Sequence, residues 1–244
     1  MNPKEKAANK EAFRQMSLPE KIDYIRTYYW GAILLGVIAL IILGTSLYRH
    51  FTKKEQILYI AYANVVPGEK LETALNHDYL LFRGMEPKKT EILVYRNLYL
   101  SNDPAAANHE MAYASKLKIL ATINSKKLDL VLMNREAYDI LSNSGYLLDI
   151  RELDELDEAL FLELEPYLTE NNLIIEDNAI EVNLNEADSY LAVTKEVPNG
   201  INVSDISLIR NTAGFPEDVY MGIIANTPRL QECCKYLGYI VNGG

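Results

Sequence analysis

Residues 128–145 read LDLVLMNREAYDILSNSG. A short apolar run ends at Asn134 and passes without a gap into residues spaced like a helix. The run 128–134 has the length of a buried strand. Residues 135–142 make a helix, and Gly145 stands where a left-handed C′ residue closes one. Asp129 interrupts the apolar run at its start, where its carboxylate is expected to accept backbone N–H groups from a neighbouring loop. Upstream, QILYIAYAN (56–64) is a second strand, ended by Pro67-Gly68, with a helix expected over 69–81. TEILVYRN (90–97) is a third strand, followed by helical spacing from Pro104 to Asn124 in which Met111, Ala114, Leu117, Ile119 and Leu120 share or border one stripe. A more acidic helix is expected over 153–168. Strands alternating with helices predict an α/β fold with a mainly parallel sheet flanked by helices.

Beyond this the pattern changes. LIIEDNAIEVNL (173–184) has apolar clusters on both sides of Glu-Asp-Asn, a turn signal, so an antiparallel hairpin is expected near 169–210, lying against or beyond the sheet edge. SYLAVTKEV (189–197) is a further strand candidate. VYMGIIA (219–225) is apolar enough for a buried strand, and Asn226-Thr227-Pro228 is placed to cap the helix RLQECCKYLGYI (229–240).

At the other end of the chain, WGAILLGVIALIILGTSLY (30–48) contains no charge. Nineteen residues rising ~1.5 Å each make about 29 Å, close to the ~30 Å apolar core of a bilayer. Tyr28, Tyr29 and Trp30 mark one end and Tyr48 the other, at headgroup level. The run is longer than a signal-peptide core and lacks a small-x-small exit, so it is read as an uncleaved anchor. Six basic residues precede it (Lys4, Lys6, Lys10, Arg14, Lys21, Arg26), and three follow closely (Arg49, Lys53, Lys54). That asymmetry expects a single-pass cell-membrane protein with a cytoplasmic N-terminus and an extracytoplasmic C-terminal domain. The expected layout is a cytoplasmic segment (1–26), a transmembrane helix (27–49) contacting the lipid bilayer, and an α/β domain (50–244). Ser17-Leu18-Pro19-Glu20 has the form of a capping box opening a helix that runs straight into the span. Ala32 and Gly36 form one small-xxx-small pair.

The 244 residues carry a net charge of −10, and the acidic excess lies beyond the span, where 49–244 hold 18 basic and 30 acidic residues. Such a surface excludes a nucleic-acid partner, which needs a basic face. The two cysteines, Cys233 and Cys234, are adjacent and build no disulfide framework. The three histidines (His50, His77, His109) are isolated. No metal-ligand spacing, nucleophile elbow or phosphate-cradling glycine loop occurs, so no catalytic residue, metal or cofactor is expected and the chain is read as a non-enzyme.

The segment KKLDLVLMNREAYDILSNSGYLLDI (126–150) resembles one found in bacterial extracellular solute-binding proteins, the periplasmic-binding-protein-like type 2 family. In that family a short strand with an early Asp leads into a helix ending Gly-x-Leu-x-Asp. The segment 219–240 is similar to the family's strand followed by a capped helix, and the order of QILYIAYAN, TEILVYRN and LDLVLMN fits its first lobe. The resemblance covers about half of the chain. It implies one shortened lobe, because fewer than 200 residues follow the span where two lobes are usual. The expected function is a protein-interaction or accessory component of a membrane complex, with a membrane or extracytoplasmic protein partner. The alternative is a tethered small-molecule or peptide binder working with a transporter, and the small ligand is left open. In open parallel sheets ligands bind beyond the strands' carboxyl ends, and four expected strands end in asparagine: Asn64, Asn97, Asn134 and Asn226. With Tyr62, Tyr95 and Tyr99 as stacking surface, these form the candidate ligand site. The competing role for each amide is capping a helix or a turn.

Overall fold

The chain divides into two compact units, Met1–Lys53 and Lys54–Gly244, and two helices span most of the described residues of the first. The computed structural model describes residues 13, 14, 16–103, 108–153, 157–178, 190–212, 215 and 217–243. Helix α1 (Leu18–Tyr28) opens at Ser17, whose N–H and hydroxyl each donate to a Glu20 carboxylate oxygen at 2.8 Å. Helix α2 (Trp30–Thr52) carries the apolar run; its window Trp30–Leu47 has a mean hydropathy of 2.3, long and apolar enough to cross a membrane. The two helices are not continuous, as the sequence had suggested. Tyr29 (φ −117°, ψ 4°) breaks them, at the end of a Thr-Tyr-Tyr run whose β-branched and aromatic side chains hold a helix weakly.

The second unit is built on one six-stranded sheet. In chain order it comprises β1 (Glu55–Ala63), α3 (Glu69–Thr73), a π turn (Ala74–Asp78), α4 (Tyr79–Phe82) and β2 (Thr90–Leu98). Next come α5 (His109–Asn124), β3 (Leu130–Asn134), α6 (Arg135–Asn143), α7 (Glu158–Leu164) and β4 (Leu168–Asp177). The chain closes with β5 (Ala192–Asn202), α8 (Ser207–Thr212), β6 (Val219–Ile223) and α9 (Leu230–Val241). Side chains alternate across a strand, so Leu58, Ile60, Tyr62, Leu130, Leu132, Met221 and Ile223 enter a core shared with α3, α7, α8 and α9. Ala61, Ala63, Val131, Met133 and Tyr220 enter the other, with α5 and α6. Both faces are covered, which explains the unbroken apolar runs of the central strands.

The strand order is β2-β1-β3-β6-β5-β4. β1 pairs parallel with β2 and β3, while the β3–β6, β6–β5 and β5–β4 pairings are antiparallel. The sheet is therefore mixed, where a mainly parallel one was expected. An apolar strand buried on both faces reads alike in either direction, and β6 inserts head-to-tail between β3 and the hairpin.

The hairpin is made of β4 and β5, so Glu176 and Asp177 lie within a strand instead of the expected turn. The segment 179–189, where part of that expectation falls, lies outside the described residues. β4 and β5 continue the sheet at its edge beside β6. The acidic helix is shorter than expected, with a 3₁₀ turn (Ile150–Leu153), α7, and a second 3₁₀ turn (Glu165–Tyr167) holding Pro166. In α5 the buried residues are Ala112, Ser115, Ile119 and Ile123, whereas Met111, Ala114 and Leu117 are exposed. Of the expected stripe, Met111, Ala114 and Leu117 thus turn outward, Leu120 is half-buried and Ile119 faces the sheet.

The π turn has a visible counterpart in α9. The hydroxyls of Tyr239 and Tyr236 donate at 3.0 Å to the carbonyls of Ala74 and Leu75. Both rings pack edge-on against buried Tyr79. A π turn disturbs the regular i→i−4 ladder, and the tyrosines of α9 satisfy carbonyls where that ladder is broken. Gly145 takes φ 71° after α6, with the Tyr146 N–H bonding back to Leu141, as the sequence expects of a C′ glycine.

Candidate functional site

The carboxyl ends of β1, β2 and β3 share one end of the sheet because these strands are parallel. Asn64 leaves β1 with φ 58°, a left-handed conformation that asparagine tolerates better than most residues. Its Nδ2 donates to the Leu100 carbonyl and its Oδ1 accepts the Leu100 N–H, both at 2.7 Å. Both ends of the amide are thus spent on the chain leaving β2. Asn97 also has φ 58° and is exposed. It lies in a bulge where β2 supplies two residues, Arg96 and Asn97, against Tyr62 of β1. Asn134 caps α6, its Oδ1 accepting the Ala137 N–H at 3.0 Å.

Asn226 is elsewhere. β6 runs antiparallel to β3, so the residues after it lie at the opposite end of the sheet, and Asn226 Nδ2 donates to the Ile123 carbonyl there at 3.1 Å. A ring of four amides does not form. Tyr62 is buried among the helices of the first core, and burial pushes its phenol up to about 12. Tyr99 is half-buried, and its backbone N–H donates to Ser115 Oγ at 3.0 Å. Lys118 lies over the ring of Tyr95, 5.5 Å from its centroid. Of the seven candidates, Asn64 and Asn134 alone line a common concavity, about 270 Å³ in volume, with Val66, Phe215, Glu217 and Asp218.

The expected helix cap at Asn226-Thr227-Pro228 is replaced by a larger construction at that end of the sheet. Arg229 is the residue preceding α9, and Thr227 Oγ accepts its N–H at 3.1 Å. Asp129 is fully buried. Its carboxylate accepts the Tyr59 N–H from β1 (2.8 Å), the Thr227 hydroxyl (2.5 Å) and Arg229 Nε (2.8 Å). The guanidinium stacks 4.6 Å from the Tyr59 ring centroid and donates to the Lys126 carbonyl at 2.6 Å. The carboxylate therefore accepts from a strand, where the sequence suggested a loop. Cys233 is buried nearby; burial first, and then the Asp129 charge, push its thiol up, so it is inert as a nucleophile.

A second polar cluster was not legible in the sequence. β4 and β5 pair from Leu168–Ile201 out to Asp177–Ala192, but β5 meets β6 only at Ile201 and Asn202. The outer part is a two-stranded ribbon projecting past β6. Its root is locked to α6. Tyr138 donates its hydroxyl to the Thr169 carbonyl (2.7 Å) and lies 2.9 Å from Asn199 Oδ1. Asn199 Nδ2 donates to Ser142 Oγ, which donates to the Asn172 carbonyl, each at 2.8 Å. Asn199 is the extra residue of a bulge between the Gly200–Thr169 and Pro198–Glu170 pairs, and bulges re-aim side chains in this way. At the outer end, Ile175 (56%), Leu191 (73%) and Val193 (58%) are exposed. A groove of about 600 Å³ runs beside the ribbon, edged by Asn143, Ile174, Ile175 and Tyr190.

No family model, curated protein or solved structure matches the chain. Among the described residues no group of three His, Cys, Asp or Glu side chains is placed to hold a metal ion. The structure presents a firmly rooted ribbon with an apolar outer end, and a small concavity at the carboxyl end of the parallel strands.

Proposed function

We propose that this chain is a non-enzymatic, single-pass membrane protein whose α/β domain lies outside the cytoplasm and works by contacting another protein of a membrane complex. The observation that carries this is the ribbon. A free two-stranded ribbon is marginal in water, yet here its root is fixed by three buried side chains, Tyr138, Ser142 and Asn199, while Ile175, Leu191 and Val193 are left to solvent. Edge strands that expose apolar side chains are ready templates for a partner. The amides expected to greet a small ligand favour the same reading, because Asn64 is fully committed to Leu100 and Asn134 Oδ1 to its helix.

The bilayer is the second partner, through the anchor at 27–49, and the six-to-three basic asymmetry supports a cytoplasmic N-terminus. Three parallel strands with α6 capped at the carboxyl end of β3 support kinship with one solute-binding lobe. The alternative, a tethered small-molecule or peptide binder beside a transporter, draws support from the concavity, where Asn134 Nδ2 makes no hydrogen bond among the described residues.

A photo-crosslinking amino acid placed at Val193 of the full chain tests the reading in intact membranes. The expected result is one discrete adduct with another protein, lost on Leu191→Asp and absent when the same group replaces the exposed Lys88. Equal, diffuse cross-linking from both positions overturns it. Saturable stabilisation by a small molecule, abolished by Asn134→Ala, establishes the alternative instead.

A further inference from the structure

Helix α5 has two apolar stripes and only one core. Ala112, Ser115, Ile119 and Ile123 are buried against the sheet. Met111, Ala114, Leu117 and Ala121 form the second stripe at helical spacing, and all four are exposed, Met111 by 52% and Leu117 by 49%. Glu110 and Lys118 stand four residues to either side of Ala114, on one row of the helix surface. Neither forms an ion pair among the described residues.

We propose that this stripe is a contact between two copies of the chain, α5 against α5, antiparallel about a two-fold axis at Ala114. The pattern is self-complementary, as an isologous interface requires. When the i±4 rows of two helices interdigitate at the common crossing of about −50°, the rows lie side by side. The antiparallel sense then sets Glu110 beside Lys118 of the second copy, and Met111 beside Leu117 of the second copy. Ala114 meets its own equivalent, where a small side chain lets the helices approach. The parallel arrangement sets Glu110 against Glu110 and Lys118 against Lys118, so the charges choose the antiparallel one.

Three turns of helix bury well under the roughly 800 Å² per partner of a stable dimer. The contact is accordingly weak in dilute solution and relies on anchoring of both copies in one bilayer, which raises their effective concentration. In that respect it rests on the anchored reading above, but not on the orientation of the anchor or on the ribbon.

Full-length Ala114→Cys in opened membranes, oxidised with copper phenanthroline, tests the contact irrespective of topology. A residue on a two-fold axis meets its own copy within disulfide reach, so a covalent product of twice the chain mass is expected, with none from Lys70→Cys at another exposed position. The native cysteines are buried and stay unreactive in a folded chain. Adding Glu110→Lys is expected to lower the dimer yield roughly tenfold, the effect of two reversed surface pairs. Adding Lys118→Glu as well restores it. The proposal is overturned if Ala114→Cys dimerises no more than Lys70→Cys, if its product has the mass of another partner, or if the doubly reversed variant dimerises no better than Glu110→Lys alone.

Discussion

Gly200→Ala is expected to cost about 3 kcal/mol of stability, at the upper end of what overpacking a core does. A Cβ at Gly200 would stand 2.4 Å from Tyr138 Cζ and 2.5 Å from its hydroxyl oxygen. Tyr138 has no room to retreat. It is fully buried, stacked 4.9 Å from the Tyr220 ring, and tied through its hydroxyl to Thr169. For a domain of this size such a loss lowers the melting temperature by roughly 6–12 °C. Thermal unfolding of the full chain in detergent measures it. Adding Tyr138→Leu to the same variant is expected to recover part of the loss, because the clash disappears with the ring. A melting temperature unchanged by Gly200→Ala would remove the ribbon's anchorage from the account.

Asp129→Ala is expected to be of similar or larger effect, about 3–5 kcal/mol, the penalty for breaking a buried ion pair from one side. It strips partners from the Tyr59 N–H, the Thr227 hydroxyl and the Arg229 guanidinium at once. These belong to β1 and to the approach to α9, so one carboxylate joins β1, β3 and the C-terminal helix. Asp129→Asn keeps the shape and an acceptor but loses the charge, and is expected to fall between wild type and alanine. Unfolding measures stability, and the rate at which Cys233 reacts with a thiol reagent reports opening of the same corner. If Asp129→Ala left both unchanged, the carboxylate would be an ornament.

The contrast between these two residues shows what sequence can carry. Asp129 was legible, because a lone carboxylate in an apolar strand must find donors or stay at the rim. Gly200 was not. Pro198-Asn199-Gly200 has the composition of a turn, yet it sits inside β5, where Pro198 escapes the ladder to β6 because β5 meets that strand only further along. Strand β1, strands β2 and β3, helix α6 and helix α9 fall within a few residues of their sequence readings, since apolar runs and the Gly145 stop are local signals. The direction of β6 is non-local, and an apolar strand carries no arrow. That missing direction also misplaced Asn226, which the reversal of β6 sends to the far end of the sheet. Helix α5 misled for another reason. Both of its faces are apolar, so spacing alone gave a stripe without saying which one meets the sheet. Asn134 stood between capping and ligand contact from sequence, and the geometry assigns its oxygen to the cap.

Cysteine labelling of living cells tests the central claim, a domain held outside the cytoplasm by one apolar helix. Lys88→Cys places a thiol on an exposed loop of the second unit, while buried Cys233 and Cys234 leave little background. The expected result is full labelling of intact cells by a membrane-impermeant maleimide, with the parent chain unlabelled. Labelling that appears only after the membrane is permeabilised would place the domain in the cytoplasm and contradict it.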